Sequence, residues 1–109
     1  MGELDGKVAI ITGAGRLRSI GYSTSMALAN LGCDIVVTGT GRDPSTFPTD
    51  EQKMGWQDIE STADHAREKG RRALPIIVDV TSTADTEMMM DRTLAEFGRI
   101  DILINNAAM

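Results

Sequence analysis

The stretch Lys7-Val8-Ala9-Ile10-Ile11-Thr12-Gly13-Ala14-Gly15-Arg16-Leu17-Arg18-Ser19-Ile20-Gly21 decides the reading of this chain. Its first half is apolar and β-branched, which predicts a buried strand over about 7–12. Its second half is a turn of small residues. The following Tyr22-Ser23-Thr24-Ser25-Met26-Ala27-Leu28-Ala29-Asn30-Leu31 predicts a helix over about 20–31, closed by Gly32. A strand, a glycine turn and a helix in that order present unpaired backbone N–H groups at a helix N-terminus, a natural seat for phosphate. Glycine suits the turn because a Cβ would clash there or hold a pyrophosphate away. The spacing departs from a strict G-x-G-x-x-G, which would need glycine where Arg18 stands.

Working outward, the same alternation recurs. Cys33-Asp34-Ile35-Val36-Val37-Thr38 predicts a second strand, and the polar, Gly- and Pro-containing run over 39–50 a long loop. A second helix is expected over about 51–69, with Trp56, Ile59, Ala63 and Ala66 on one face. A third strand follows over 73–80, where Pro75 points to a strand start or a sheet edge. Ser82-Thr83-Ala84-Asp85 resembles a capping box opening a third helix that runs to Phe97, with Met90, Leu94 and Phe97 on a shared face. Ile100-Asp101-Ile102-Leu103-Ile104 is the fourth strand.

Apolar strands alternating with helices predict an α/β fold: a doubly wound, Rossmann-like parallel sheet covered on both faces. Right-handed crossovers give the strand order 3-2-1-4, with helices one and two on one face and helix three on the other. Ligands of such sheets lie beyond the carboxyl ends of the strands, at the switch between strands one and four. The glycine turn, the run 38–42, Asp79 and the run 105–107 all fall there.

Bulk properties narrow the classes. The 109 residues fit one domain, and a net charge of −5 without a basic stripe argues against a nucleic-acid surface. No apolar run reaches membrane-spanning length and the start is no signal peptide, so the expected compartment is the cytoplasm. The single cysteine, Cys33, permits neither an internal disulfide nor a cysteine metal site, and reads as a small buried residue. The run Met88-Met89-Met90 reads as helix filling, and His65 as a surface residue. No Gly-Lys-Ser/Thr occurs, which excludes a P-loop. A methyltransferase would want an acidic residue at the end of strand two, where Thr38-Gly39-Thr40 stands.

Together these stretches resemble the short-chain dehydrogenase/reductase family, over nearly the whole chain. Thr12-Gly13 begins a turn similar to T-G-x-x-x-G-x-G, and Asp79-Val80-Thr81 resembles the D-V after strand three. Most specific is Gly98-Arg99-Ile100-Asp101-Ile102-Leu103-Ile104-Asn105-Asn106-Ala107-Ala108, which resembles G-x-I-D-x-L-V-N-N-A-G with alanine for the last glycine. Ungapped, the family's later glycines would fall at Leu17 and Ser19; treating Leu17-Arg18 as an insertion sets Ser19-Ile20-Gly21 over G-I-G. The lengthened turn is similar to that of enoyl-acyl-carrier-protein reductases, whose branch lacks the Asn-Asn-Ala motif; the resemblance favours a carbonyl–alcohol reductase.

The resemblance implies roles. Gly13, Gly15, Ser19 and Ile20 would surround the pyrophosphate and nearby ribose of a nicotinamide dinucleotide. Asp79 would accept from the adenine amino group, with Val80 beside the ring. Asn105 and Ala107 would lie along the ribose and toward the nicotinamide, although tying strand four to its neighbours is an equal reading of Asn105 and Asn106. NADP is expected over NAD, since no carboxylate ends strand two and Thr40, Arg42, Arg16 and Arg18 stand near the 2′ position. The family's catalytic Tyr-x-x-x-Lys is not within these residues: Tyr22 is followed four residues on by Met26 and reads as packing. The chain is therefore expected to be the cofactor-binding half of an oxidoreductase, inactive alone and a homo-oligomer when whole, acting on a small carbonyl or alcohol. A non-catalytic nucleotide-binding module is the competing reading. The segment 41–55, with Phe47 inside it and Trp56 beside it, is read either as a surface insertion packed on helix two or as a flap over the cofactor's adenosine end.

Overall fold

A computed structural model describes residues 3–17 and 19–106. Four strands form one parallel sheet: β1 (Val8–Ile11), β2 (Asp34–Gly39), β3 (Ala73–Ile77) and β4 (Ile102–Ile104), in the order β3-β2-β1-β4. The expected order is the observed one, and Pro75 sits on the edge strand β3, where its missing N–H costs no inner ladder bond. The helices are α1 (Ile20–Asn30), α2 (Thr49–Lys53), α3 (Ile59–Glu68) and α4 (Thr83–Phe97).

Strand periodicity divides the core. Ala9, Ile11, Ile35 and Val37 face one way and pack with Ala29 of α1 and Ile59, Ala63 and Ala66 of α3. Ile10, Val36 and Ile76 face the other way and meet Met89 of α4. Both sides of β1 and β2 are thus buried, as their near-continuous apolar sequences require. Cys33 is fully buried just before β2.

The ends of α1 and α4 follow their sequence signals. Ser19 caps α1 by accepting from the Tyr22 N–H at 3.1 Å, and Gly32 follows the helix at φ 110°. Ser82 accepts from the Asp85 N–H at 3.2 Å, but Asp85 does not close the box: its carboxylate accepts from the Asp79 N–H instead. Gly98 ends α4 in the left-handed conformation.

Three expectations are corrected. The helix expected over 51–69 is two helices, because Gly55 takes a positive φ and Trp56 turns inward off any helical face. The third strand stops at Ile77; the Val78 N–H still donates to the Gly39 carbonyl at 2.9 Å, and the chain leaves the ladder after it, at the sheet's carboxyl end. On α4 the inward residues are Met89 and Thr93, while Leu94 is exposed; Met90 and Phe97 flank them half-buried. The buried pair are i and i+4 on the stripe over β1 and β3, and Leu94 lies one position round at its margin.

Candidate functional site

The glycine turn leaves β1 with Thr12, whose hydroxyl accepts from the Asn106 N–H at 2.9 Å and lies 3.5 Å from the Asn105 carboxamide oxygen. Asn106 also donates through Nδ2 to the Gly13 carbonyl at 3.3 Å. The end of β4 is thereby tied to the turn after β1. Gly13 holds φ at 67°, open to glycine with little strain. A Cβ on Gly21 would lie 2.4 Å from the Gly13 carbonyl oxygen. Gly21 therefore closes the turn against the first helical residues, the place of the family's last glycine when Leu17-Arg18 is an insertion.

The turn is bound from behind by elements distant in sequence. The Trp56 indole N–H donates to the Gly15 carbonyl at 2.7 Å, and the Thr62 hydroxyl to the Ala14 carbonyl at 2.7 Å. Trp56 is 3% exposed and sits edge-to-face with Tyr22 and His65. Glu51 of α2, 2% exposed, accepts from the Leu17 N–H at 2.9 Å. The segment 41–55 lies mostly at the surface, as the insertion reading expects, but it is anchored inward: Phe47 and Glu51 within it and Trp56 beside it are buried, and Trp56 packs on His65 of α3. His65 is not a free surface residue either; its Nδ1 lies 2.6 Å from the Tyr22 hydroxyl. Burial, then the nearby Glu68 charge, raises the Tyr22 pKa.

Arg42 follows β2 and binds two carboxylates. Its Nε and Nη2 donate to Asp58 Oδ1 at 2.9 and 2.6 Å, and Nη2 reaches Glu51 Oε1 at 3.2 Å. The guanidinium lies 4.4 Å from the Phe47 ring centroid. Nη1 is buried without a hydrogen-bond partner among the described residues. The chain after β2, the middle of α2 and the start of α3 thus gather one guanidinium and two carboxylates, partners for Arg42 that the sequence did not reveal. Asp58 holds φ at 58°, and its carboxylate faces Gly15, where a Cβ would come within 2.4 Å of it.

These pieces line a cleft of about 580 Å³ beyond the carboxyl ends of the strands. Of the residues picked from sequence, Gly13, Gly15, Arg16, Thr40, Arg42, Asp79 and Val80 line it, together with Asn106, Thr38, Gly39, Asp58 and Thr81. Asp79 accepts from both the hydroxyl and the N–H of Thr81, and these bonds hold its carboxyl below the ordinary value. Ser19, Ile20 and Asn105 do not line the cleft. Ser19 spends its hydroxyl on capping α1 and on the Arg16 carbonyl, Ile20 is 74% exposed, and Asn105 faces Thr12. Arg18 and Ala107 lie outside the described residues.

Sequence reading missed Asp58, Glu51 and Thr62, and set Trp56 on a helix face rather than against the glycine turn. Gly55-Trp56 inside an otherwise helical run was the available signal, since glycine interrupts a helix and tryptophan is costly to leave exposed. Glu51 gave none, because a glutamate early in a helix ordinarily faces water.

The short chain dehydrogenase family model matches residues 7–109. The chain belongs to that family. The chain is 41% identical over 111 residues to the 12alpha-hydroxysteroid dehydrogenase of Clostridium sp., covering 98% of the chain and 38% of that protein. It is 34% identical to the 2-dehydro-3-deoxy-D-gluconate 5-dehydrogenase of Escherichia coli, covering 98% of the chain and 35% of that enzyme. Among solved structures it matches the short chain dehydrogenase from Mycobacterium paratuberculosis bound to NAD, with a TM-score of 0.81 and 28% identity over 99% of the chain and 39% of that protein. The chain thus spans well under half the length of the relatives it matches. Among the described residues no helix is long and apolar enough to cross a membrane, and no group of His, Cys, Asp and Glu could hold a metal ion.

Proposed function

We propose that this chain is the cofactor-binding half of an oxidoreductase that moves hydride between NADP(H) and a carbonyl or alcohol substrate. One observation carries the reading. The N–H groups of Gly15 and Arg16 have no protein acceptor among the described residues, and both residues line the cleft at the start of α1. That is the donor set a pyrophosphate needs. Gly13 and Gly15, with Ser19 and Ile20 at the helix start, would surround the pyrophosphate and its ribose. The Asp79 carboxylate, held ionised by Thr81, would accept from the adenine amino group beside Val80. Asn105 would brace the turn through Thr12, with Ala107 toward the nicotinamide.

When bound, the nicotinamide ring supplies or accepts the hydride. The proton would be handled by a Tyr-x-x-x-Lys pair in the remainder of the whole protein, as the resemblance implies. Reading the gene beyond Met109 tests this, and a gene without such a pair would favour a non-catalytic nucleotide-binding module.

For the 2′ position, Thr40, Arg16 and Arg42 stand at the cleft, and Arg42 Nη1 is a buried donor with no partner among the described residues. A 2′-phosphate recruiting Arg42 would satisfy that donor. NAD(H) is the second reading, favoured by Asp58 and Glu51, which already offset the Arg42 charge. Titration of the intact protein with both dinucleotides separates the two, and equal or tighter NAD(H) binding overturns the NADP(H) assignment. Loss of a charged bond in Arg42→Ala should weaken NADP(H) by about 1.5–3 kcal/mol.

A further inference from the structure

The geometry points to Trp56, outside the strand–turn–helix unit, as a positioning residue that aims two backbone amides at the cofactor's pyrophosphate. The inference rests on the dinucleotide reading above. All described peptide bonds are trans, so each carbonyl points opposite to the N–H of the next residue. The Gly15 carbonyl accepts from the Trp56 indole N–H at 2.7 Å, on the buried side of the turn, with Arg42 Nη2 a longer second donor at 3.5 Å. The Arg16 N–H must therefore point away from the interior. The Ala14 carbonyl is taken by the Thr62 hydroxyl at 2.7 Å, equally buried, and this turns the Gly15 N–H the same way. Gly15 and Arg16 are cleft-lining residues, so both donors face the ligand space.

Glu51 selects against a third donor. Its carboxylate accepts from the Leu17 N–H, which removes that amide from the set offered to an anion. The lengthened turn could otherwise rearrange its N–H groups, since two residues are added where the family turn is tight. Trp56, Thr62 and Glu51 all come from the segment between β2 and β3, and together they fix which amides the turn presents. A donor array aimed before the ligand arrives binds an anion without first ordering the loop.

The test uses the intact protein and two variants, Trp56→Phe and Thr62→Val, each of which deletes one donor and keeps most of the side-chain volume. NADP(H), or NAD(H) if it binds more tightly, is titrated alongside adenosine, which lacks the pyrophosphate. Backbone amide exchange is followed over residues 14–19. Each variant should weaken dinucleotide binding about tenfold, the loss expected for one hydrogen bond, and leave adenosine binding unchanged. In steady state the change should appear in the dinucleotide KM rather than in kcat, and exchange over 14–19 should quicken. Unchanged dinucleotide affinity in both variants overturns the inference, as does an equal loss for dinucleotide and adenosine, which marks general loosening. A wild-type protein that binds no dinucleotide overturns the cofactor reading itself, a result distinct from a binding wild type with indifferent variants.

Discussion

Replacing Arg42 with methionine strands two carboxylates. In the native fold the Arg42, Asp58 and Glu51 side chains are 15%, 10% and 3% exposed, so the three charges lie largely out of water. Arg42→Met keeps an unbranched stem against Phe47 and removes the guanidinium. Asp58 then loses both donors to Oδ1, and Glu51 keeps only its bond from the Leu17 N–H. Breaking a buried ion pair from one side costs about 3–5 kcal/mol, because the remaining charge stays desolvated. Some solvent reaches Arg42 and Asp58, which places the expected loss near the lower end, about 3 kcal/mol. The loss of the cation over the buried Phe47 ring contributes about 1–2 kcal/mol of this. The assay is urea unfolding of the intact protein without dinucleotide, since bound ligand would add its own stabilisation. Adding Glu51→Gln and Asp58→Asn to the same protein should recover part of the loss, since neutral amides cost less to keep buried. A loss below about 1 kcal/mol for Arg42→Met is what a surface pair gives, and would refute the buried-network account.

Gly15→Ala should weaken dinucleotide binding at least about tenfold by calorimetry, because the new Cβ meets the Asp58 carboxylate at 2.4–2.7 Å and displaces it; unchanged affinity would show that the carboxylate yields freely. Asp101 anchors the Val8 N–H at 2.8 Å, and its pKa is lowered from 3.8, first by its bond from Arg99 and then by that from Val8. A carboxylate depressed in the fold stabilises above the unfolded pKa and loses that contribution as the pH falls through the lower folded value. Asp101→Asn should therefore flatten the acid limb of a stability–pH curve below about pH 4, and an acid limb as steep as the wild type's would exclude this role. Expressed alone, residues 1–109 should associate through the edge of β4, where Leu103 is exposed, and should show no NADPH oxidation with carbonyl substrates. A monodisperse monomer by sedimentation contradicts the first expectation, and turnover contradicts the second.

The sheet was legible because its signals are local and repeated. Val8–Ile11 and Cys33–Thr38 are apolar runs next to glycine punctuation, and right-handed crossovers leave little choice of order. The cleft's glycines, Asp79 and Asn106 could be placed because each lies at a strand end. The buttress could not. A helix over 51–69 satisfies the 3.6-residue period, and only burial of Trp56 against Gly15 makes breaking it favourable. Arg42 illustrates the same limit: its charge can be read from sequence, but the partners that occupy it stand 9 and 16 residues away. The Ser19 hydroxyl is used by the helix cap, a local role that the motif alone does not reveal.

The supports of the glycine turn also bear on the order in which the molecule assembles. The strand, turn and helix occupy the first quarter of the chain and could form by local contacts. Their amides acquire direction only when Trp56 and Thr62 arrive, across separations of 41 and 48 residues, and the turn is tied to Asn106 across 93. Contacts of that range close large loops and form slowly. The cleft is therefore expected to mature after the helix that borders it. A folding intermediate with native helix content and no affinity for dinucleotide is the species this order predicts, and ligand added during refolding would capture only molecules that have passed it.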